Sequence, residues 1–202
     1  MRMVKNFKEK SRKSALNQII YGLHSVKAAL LNEKRDHFEL IVNENQRNFA
    51  ERYKNKIKKI TVLDNKDFKL KFGAESKSQG LILKTIEKSK ISLNEFIEVE
   101  KNKTLSTIVV LDQITDPQNI GSIMRSCAMF NCKAIIVAKD NSPELTPSLL
   151  KAASGAAEIV NYYRVTNLKR TLSDLKKNNY WIYGFDSSFV NSSNLSFSKN
   201  PL

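Results

Sequence analysis

Two side chains that could bind an anion, Asn119 and Arg125, lie in the stretch DPQNIGSIMRS. The preceding run STIVVLD is continuously apolar, which is typical of a strand covered on both faces. Apolar residues then recur at helical spacing, at Ile120, Ile123, Met124, Cys127 and Ala128. Ligands collect at the carboxyl ends of strands in open parallel sheets, and free N–H groups at a helix start favour an anion such as phosphate. This junction is therefore the candidate site.

The same residues also have a purely structural interpretation. Asn119 would cap the helix, Asp116 and Pro117 would begin it, and Arg125 would be a solvated surface side chain. Spacing alone favours this structural interpretation over the functional one.

Other common catalytic signatures are absent from the sequence. It has no G-x-G-x-x-G after a strand, no Walker-type phosphate loop, no H-E-x-x-H and no G-x-S-x-G. The two cysteines, Cys127 and Cys132, have no histidine at ligand spacing, so we predict no metal site. We interpret them as small apolar core residues of a reduced, cytoplasmic protein. No apolar run is long enough to predict a membrane span, and the start is not a secretory signal.

Positive charge is concentrated in the first part of the chain. Residues 1–90 hold 22 Lys and Arg against 10 Asp and Glu, whereas residues 91–202 hold 12 against 10. A Lys-rich genome could produce such a composition, but a local excess of this size favours a polyanionic partner, most commonly nucleic acid. The candidate RNA contacts are Arg12, Lys13, Lys27, Arg52 and Lys56, together with Arg125.

The hydrophobic pattern predicts an α/β protein in two parts. In the first part we predict helices over 21–32 and 48–59 and strands over 38–43, 60–64 and 79–86. In the second part we predict strands over 106–112, 133–139, 160–165 and 180–186, separated by helices, with Thr166 as the cap of the last helix. Such alternation is typical of a parallel, doubly wound sheet. The predicted divisions are a basic extension (1–18), an RNA-binding domain (19–90), a linker (91–104) and a second domain (105–202).

The amino-acid sequence of the second part resembles the SpoU-type, TrmH-like RNA ribose 2′-O-methyltransferases. It is most similar to the branch that methylates a guanosine in large-subunit ribosomal RNA. The family motif N-x-G-x-x-x-R corresponds to Asn119, Gly121 and Arg125. Further matches are T-D-P at 115–117, S-G-A-A-E at 154–158 and V-T-N-L at 165–168, and IYGLHSVKAAL and SQGLIL in the first part. The resemblance extends from Ile20 to about Asp186.

This resemblance implies a fold, a reaction and partners. The first domain would be similar to the ribosomal protein L30e type, and the second would be a Rossmann-like domain of the SPOUT superfamily that ends in a trefoil knot. The reaction would transfer a methyl group from S-adenosylmethionine to a ribose 2′-hydroxyl of RNA, with ribosomal RNA as the expected substrate. Asn119 and Arg125 would be the catalytic residues, and the complete protein would be a homodimer.

The sequence departs from the family pattern after residue 186. The second and third family motifs, G-x-E-x-x-G and P-M-x-G followed by S-L-N-V-S, are not found. We therefore expect this chain to lack the knot segment, to bind S-adenosylmethionine poorly by itself, and to be inactive alone, with its cofactor-binding residues unassigned. The alternatives are an enzyme completed by another polypeptide and a non-catalytic, ribosome-associated RNA-binding protein.

Overall fold

A computed structural model describes residues 17–73, 78–101, 103 and 105–185. Its strands are β1 (Asn17–Tyr21), β2 (His37–Asn43), β3 (Ile57–Leu63), β4 (Leu81–Ile86), β5 (Ile108–Leu111), β6 (Ala134–Ala138) and β7 (Asn161–Val165). Its α-helices are α1 (Leu23–Leu31), α2 (Arg47–Arg52), α3 (Asn65–Phe72), α4 (Leu93–Glu100), α5 (Pro117–Met129), α6 (Pro147–Ala152) and α7 (Leu168–Lys177). Arg12 and Lys13 lie outside the described residues.

The first sheet is mixed and has the strand order β1-β4-β2-β3. Strand β2 is parallel to β3 and antiparallel to β4, which is also antiparallel to β1. Side chains alternate along β2, as a strand requires. Leu40 and Val42 enter the large core shared with α1, whereas Ile41 packs against Phe68 of α3 on the opposite face.

The predicted basic helix over 48–59 is wrong in its second half. Helix α2 ends at Arg52, and a short 3-10 turn over Lys54–Lys56 leads directly into β3. Strand pairing prevails over the helical pattern because Ile57 pairs with His37 in the parallel ladder. Lys58 and Lys59 then lie exposed on β3, the outer strand of this sheet, where charged residues discourage unwanted edge pairing.

The second sheet is parallel, as predicted, with the order β5-β6-β7. Strand β6 is central, and its side chains point alternately to two apolar layers. Ile135 and Val137 face α5 and α6, whereas Ala134 and Ile136 face α4 and α7. Helices therefore cover both faces of this sheet, which explains the continuous apolar runs of its strands.

Two details of the second part differ from the prediction. Asn167, not Thr166, caps α7, because its side-chain oxygen accepts a hydrogen bond from the amide of Arg170. Residues 180–185 form no strand; the Tyr180 hydroxyl instead bonds the Ser106 hydroxyl at 3.2 Å. Tyr180 and Ile182 pack against the same apolar cluster as Ile108 and Val110 of β5, but they join no ladder.

The two sheets share one apolar core. Ile20, Leu30 and Leu40 of the first part lie in the same buried cluster as Met124 and Leu149 of the second. The division into domains at 19–90 and 105–202 stays a prediction, but the structure places these two parts in direct contact. Among the described residues, no helix is both long and apolar enough to cross a bilayer.

Candidate functional site

The candidate site begins where β5 ends and α5 starts. Asp116 caps this helix, since its carboxylate accepts a hydrogen bond of 2.9 Å from the amide of Gln118, and Pro117 occupies the first helical position. Ile120, Met124 and Cys127 are buried along one face of α5, as the helical spacing predicts. The opposite face, including Asn119 and Arg125, remains exposed.

Gly121 brings α5 against the end of α6. A Cβ atom added at this position would lie 2.4 Å from the Cβ of Ala152 and 2.9 Å from the amide nitrogen of Ala153. No side chain fits there unless the helices separate. The glycine of the N-x-G-x-x-x-R stretch therefore has a packing role: it lets the backbone of α6 approach the helix that carries Arg125.

The close approach of α6 to α5 allows Arg125 to contact the end of α6. Its Nη1 group donates a hydrogen bond to the carbonyl oxygen of Ala152, the last residue of α6, and its Nη2 lies 3.3 Å from the Ser122 hydroxyl. The last carbonyls of a helix lack partners within the helix and carry partial negative charge, so a guanidinium stabilises them. A guanidinium has five N–H donors, so donors remain for an external anion. Arg125 is thus not a freely solvated side chain, and not all of its hydrogen-bond donors are occupied within the protein.

Asn119 lies in the first turn of α5, but the structural interpretation that made it the cap is wrong, because Asp116 has that role. Asn119 is exposed, and its side chain has no hydrogen-bond partner among the described residues. Asn119, Ser122 and Arg125 follow one another at intervals of three residues, which places them on neighbouring positions of the helix surface. Sequence reasoning missed Ser122, although this spacing could have indicated it.

The candidate RNA contacts of the first part are spread over several elements. Lys27 lies on α1, Arg52 at the end of α2 and Lys56 in the following turn, and all three are exposed. Among the described residues, no hydrogen bond or ion pair joins any of them to Arg125, so the structure does not connect them to the junction around α5.

Some cations of the first part are instead neutralised. Glu39 accepts hydrogen bonds from Thr61 and Lys84 and forms an ion pair with Lys59 at 3.1 Å. The bond from Lys84, followed by those from Thr61 and Lys59, lowers the pKa of Glu39 to about 2. Lys59 and Lys84 are therefore poorer candidates for phosphate binding than Lys27 or Lys56.

A buried ion pair joins the two parts of the chain. The Arg35 guanidinium donates to both carboxylate oxygens of Glu158, at 2.9 and 2.7 Å, and the Asn32 amide donates to the same carboxylate at 2.7 Å. The Arg35 and Glu158 side chains are only 2% and 9% exposed. Glu158 therefore anchors the second part to the first, and nothing in the sequence indicated Arg35 as its partner.

Lys88 adds a second polar contact between the two parts of the chain. We call this contact region, which includes Arg35, Lys88 and Glu158, the seam. Its ammonium donates to the carbonyl oxygens of Ala157 and Val160, at 3.0 and 3.4 Å, and burial lowers its pKa. On the other side of α6, the Ser25 hydroxyl donates to the carbonyl of Leu150 at 2.8 Å. The seam thus has hydrogen bonds as well as apolar packing.

Among the cavities of the described part of the chain, one lies between its two parts, around Arg35 and Lys88, and another lies on the first sheet, around Phe38 and Lys84. Neither of these two lies at the carboxyl ends of the second sheet. At the carboxyl ends, Arg164 is held by Glu144 at 2.6 Å and by the carbonyl of Lys139. We therefore assign no described residue to a cofactor.

The thiols and the potential metal ligands do not form a site in the described part of the chain. Cys127 and Cys132 are both buried, which confirms their interpretation as core residues. Burial raises the pKa of the Cys127 thiol to about 12, so this thiol is unreactive. No group of His, Cys, Asp or Glu within the described ranges could hold a metal ion.

Residues 106–201 match the model of the SpoU rRNA Methylase family. A putative TrmH family tRNA/rRNA methyltransferase of Staphylococcus epidermidis is 34% identical over 173 residues, which cover 84% of this chain and 70% of that protein. The 23S rRNA (guanosine-2′-O-)-methyltransferase RlmB of Haemophilus influenzae is 32% identical over 183 residues, covering 84% and 71%. The chain therefore spans about 70% of the length of these relatives.

Solved structures support the same fold. The SpoU methyltransferase AviRb from Streptomyces viridochromogenes, in complex with AdoMet, is similar with a TM-score of 0.61 at 15% identity. The match covers 85% of this chain but only 63% of AviRb, so this chain spans less than two thirds of that structure. The α/β architecture with its parallel sheet is thereby confirmed, and the sequence relatives establish membership: the chain belongs to the SpoU rRNA methylase family.

Proposed function

We propose that this chain takes part in methyl transfer from S-adenosylmethionine to a ribose 2′-hydroxyl of ribosomal RNA. The observation that carries the proposal is the Arg125 guanidinium, which is fixed at the α5–α6 contact while its remaining donors face solvent. Support comes from relatives described as rRNA and tRNA/rRNA methyltransferases and from a structural neighbour solved with AdoMet. A homodimer and a cytoplasmic location belong to the same proposal.

Arg125 would act on the ribose and its phosphate. The ribose 2′-hydroxyl would accept the methyl group that S-adenosylmethionine supplies when bound, and its proton would leave to solvent. A guanidinium keeps its own proton at ordinary pH, so Arg125 is a poor general base. Its charge and planar donors suit a phosphate and an oxygen on which negative charge develops. We therefore assign Arg125 to charge stabilisation.

Asn119 and Ser122 would assist this residue. Ser122 already contacts Nη2 of Arg125 and would help to orient the guanidinium. Asn119 is exposed on the first turn of α5, where an amide can donate to a ribose or phosphate oxygen. Both residues would position groups and would not stabilise the developing charge themselves. Removing either side chain should therefore reduce the rate of methyl transfer less than removing Arg125.

The first part of the chain would hold the RNA. Its excess of Lys and Arg and the exposure of Lys27, Arg52 and Lys56 support a largely electrostatic contact with the phosphate backbone. Arg12 and Lys13 would add to the positive charge available to the RNA. Binding should then weaken steeply as salt concentration rises, because each phosphate contact releases counterions.

A second candidate function is RNA binding without catalysis. One observation favours it: the first part of the chain carries exposed basic side chains, Lys27, Arg52 and Lys56, whereas no described residue is assigned to a cofactor. The two functions separate experimentally. Both require RNA binding, but only the first requires methyl transfer that depends on Arg125.

The test compares Arg125→Ala and Arg125→Lys with the parent. Transfer of a labelled methyl group to ribosomal RNA is measured with the chain alone and with the remaining part of a relative added as a second polypeptide. Arg125→Ala should lower the rate about 10²-fold or more, as expected for a positioned transition-state donor. Arg125→Lys should also be slow, because an ammonium cannot reproduce a planar two-pronged contact. RNA affinity should change far less than rate.

Arg170→Ala is the matched control, because Arg170 is 83% exposed on α7. Its rate should equal that of the parent. Arg125→Ala also loses a bond to the Ala152 carbonyl, so a stability loss of about 1 kcal/mol is expected and must be measured alongside. Equal rates for Arg125→Ala and the parent would refute the role of Arg125, and RNA binding without any transfer in either format would favour the second function.

A further inference from the structure

Helix α3 covers one end of the first sheet, on the face opposite the shared core. There Phe68 packs against Ile41 and Ile82. The next row of side chains on this face, aligned strand by strand, consists of Ile19, Lys84, Glu39 and Lys59. Ile19 is 47% exposed, so this row is accessible to a ligand. We call this row and the cavity beside it the open end of the sheet.

Phe38 lines the cavity at the open end. The cavity has a volume of about 370 Å³, within the range of about 300–1,000 Å³ that is usual for small-ligand sites. Asn17, Ile19 and Lys84 line it as well. The Phe38 ring is half-buried, and it belongs to none of the apolar clusters of the described residues. Core packing therefore does not explain this aromatic side chain.

Phe38 lies at an irregularity of strand β2. His37 pairs with Thr85 and Glu39 pairs with Lys84, so β2 advances by two residues where β4 advances by one. This is the pattern of a β-bulge, which commonly re-aims a side chain next to a functional site. His37 is buried beside the Thr85 hydroxyl, whereas Phe38 lines the cavity.

Lys58 is the cation that is available at the open end. It is exposed on the outer strand β3, and its ammonium lies 5.1 Å from the centre of the Phe38 ring. Lys59 and Lys84 instead pair with Glu39, at 3.1 and 2.8 Å. Within the described ranges, the ring is the contact of the Lys58 ammonium, which has no carboxylate partner there. A phosphate would supply that partner.

The charge at the open end favours an anionic occupant. Glu39 is ionised, because the bond from Lys84 and then those from Thr61 and Lys59 lower its pKa to about 2. It offsets one of three lysines, so the balance is positive. A second copy of this basic chain, with its net charge of +14, would be repelled. Residues 1–16, with six Lys and Arg against one Glu, would be repelled for the same reason.

A protective role for Lys58 is the structural alternative. Lysines on an outer strand discourage edge pairing, and a cation over a ring adds a little stability. Edge protection needs charge, however, and does not require an aromatic side chain at a bulge with a cavity beside it. A contact between an ammonium and an exposed ring is also weak, whereas charge-assisted hydrogen bonds to phosphate are strong.

We propose that Phe38 and Lys58 bind an unpaired nucleotide of RNA: the base stacks on the ring, and the ammonium contacts the phosphate. Asn17, exposed in the same cavity, has an amide that can both donate to and accept from the edge of the base. A base stacks on a side chain when it is free of its own pairing partner, so the site selects single-stranded RNA over a duplex. This role rests on the proposed contact of the first part with RNA, and it requires neither methyl transfer nor Arg125.

The aromatic half is tested by binding of the full chain to a short single-stranded RNA of mixed sequence and to a duplex of the same length. Phe38→Tyr keeps a ring and should bind as the parent does. Phe38→Leu should bind the single strand about tenfold more weakly, within the range for one lost stacking contact, and the duplex equally well. Phe130→Leu, at an aromatic residue of the second part that is 77% exposed, is the matched control and should bind as the parent does.

The charged half is tested by the salt dependence of single-strand binding. Lys58→Met removes an exposed charge and keeps most of the apolar stem, so the fold should be retained. The slope of log affinity against log salt should decrease by about one, as expected for one lost phosphate contact. Lys176→Met removes the same charge from an exposed position on α7 and should leave the slope unchanged.

Equal single-strand binding by the Tyr and Leu variants of Phe38, or an unchanged slope in Lys58→Met, would overturn this role while leaving methyl transfer untouched. A parent that sediments as a dimer and a Phe38→Leu variant that sediments as a monomer would also overturn it, because a second copy would then cover the open end. Should Phe38→Leu lose stability in urea, the slope of Lys58→Met decides. Failure of the parent chain to bind any RNA would overturn both this role and the proposed function.

Discussion

Arg35 and Arg125 show how differently two arginines can act in one chain. Arg35 is buried at the seam between the two parts and gives both prongs of its guanidinium to Glu158. Arg125 is exposed, and it bonds one backbone carbonyl and one hydroxyl. The Nη1 group of Arg35 donates to Gln18 and to the carbonyl of Ile86, so each nitrogen of this guanidinium already has a partner and none is left to offer a ligand. A residue that can do chemistry must instead be oriented by its neighbours and still have donors available.

The two sites also depend on each other through α6 and the turn that follows it. Ala152, which orients Arg125, ends α6, and Glu158 lies in the 3-10 turn a few residues later. Gly155, between them, adopts φ +92°, and a Cβ there would lie 2.6 Å from the Cβ of Ala28 on α1. The stretch from 152 to 158 therefore connects the seam to the candidate site, so damage to the seam should reach Arg125.

The largest expected effect comes from breaking the buried pair. Glu158→Ala leaves the Arg35 charge buried without its partner, so the free energy of unfolding should fall by about 3–5 kcal/mol. Urea denaturation of the full chain measures the change. A double variant, Arg35→Met with Glu158→Leu, should recover much of the loss, because it replaces both charges with apolar groups.

Glu144→Ala is the control for that experiment. Glu144 also pairs with an arginine, Arg164, but its side chain is 78% exposed. Removing it should cost no more than about 1 kcal/mol, as is usual for exposed ion pairs. Similar losses for the two single variants would mean that the seam does not depend on burial of its ion pair.

A smaller loss in the free energy of unfolding is expected from Gly121→Ala. This variant tests whether the close packing of α5 and α6 positions Arg125. The added Cβ would lie within 2.4–2.9 Å of Ala152 and Ala153, so α5 and α6 must separate, at a cost of about 1–3 kcal/mol. The Arg125 bond to the Ala152 carbonyl should weaken at the same time, which hydrogen exchange at the end of α6 would detect. Gly184→Ala is the control, because nothing lies within 4 Å of a Cβ there. Equal stability of the two variants would contradict the packing role of Gly121.

The helix of the candidate site was predictable because its signals are local. Asp116 and Pro117 begin α5, and the buried positions follow the helical spacing of the apolar residues. The central strand β6 was predictable for a similar reason, since a strand covered on both faces has an uninterrupted apolar sequence. Patterns that depend only on neighbours in sequence therefore gave the elements correctly.

Features that depend on distant contacts were missed. Arg35 and Glu158 are separated by 123 residues, and neither has a neighbour that indicates its partner. The stretch over 54–59 looks helical, but its end pairs with β2 and becomes a strand. The apolar residues over 180–185 resemble a strand, yet only Tyr180 and Ile182 pack against the apolar cluster beneath the second sheet, and the segment joins no ladder. Tertiary contacts decided each of these outcomes.

The smallest expected effect is a pH dependence of the free energy of unfolding, caused by a buried histidine near the Arg35–Glu158 pair. His37 is only 4% exposed, and its Nδ1 lies 3.0 Å from the Thr85 hydroxyl. Burial, and then the nearby Arg35 charge, lower the pKa of His37 below its ordinary value of 6.5, although Glu158 and Asp36 oppose the shift. Below pH 6.5 the unfolded chain therefore binds more protons than the folded one. The stabilisation is complete above pH 6.5 and is lost as the pH falls through the lower folded value.

His37→Gln removes this titration, so the stability of the parent should decrease relative to that of the variant as the pH is lowered below 6.5. Urea midpoints measured at several pH values give the two slopes, and His24→Gln, at an exposed position on α1, should follow the parent. The effect should be confined to the acid side, because His37 is already neutral in both states at higher pH. Parallel slopes for the parent and His37→Gln would mean that protonation of this buried imidazole does not weaken the seam, and that the acid sensitivity of the fold originates elsewhere.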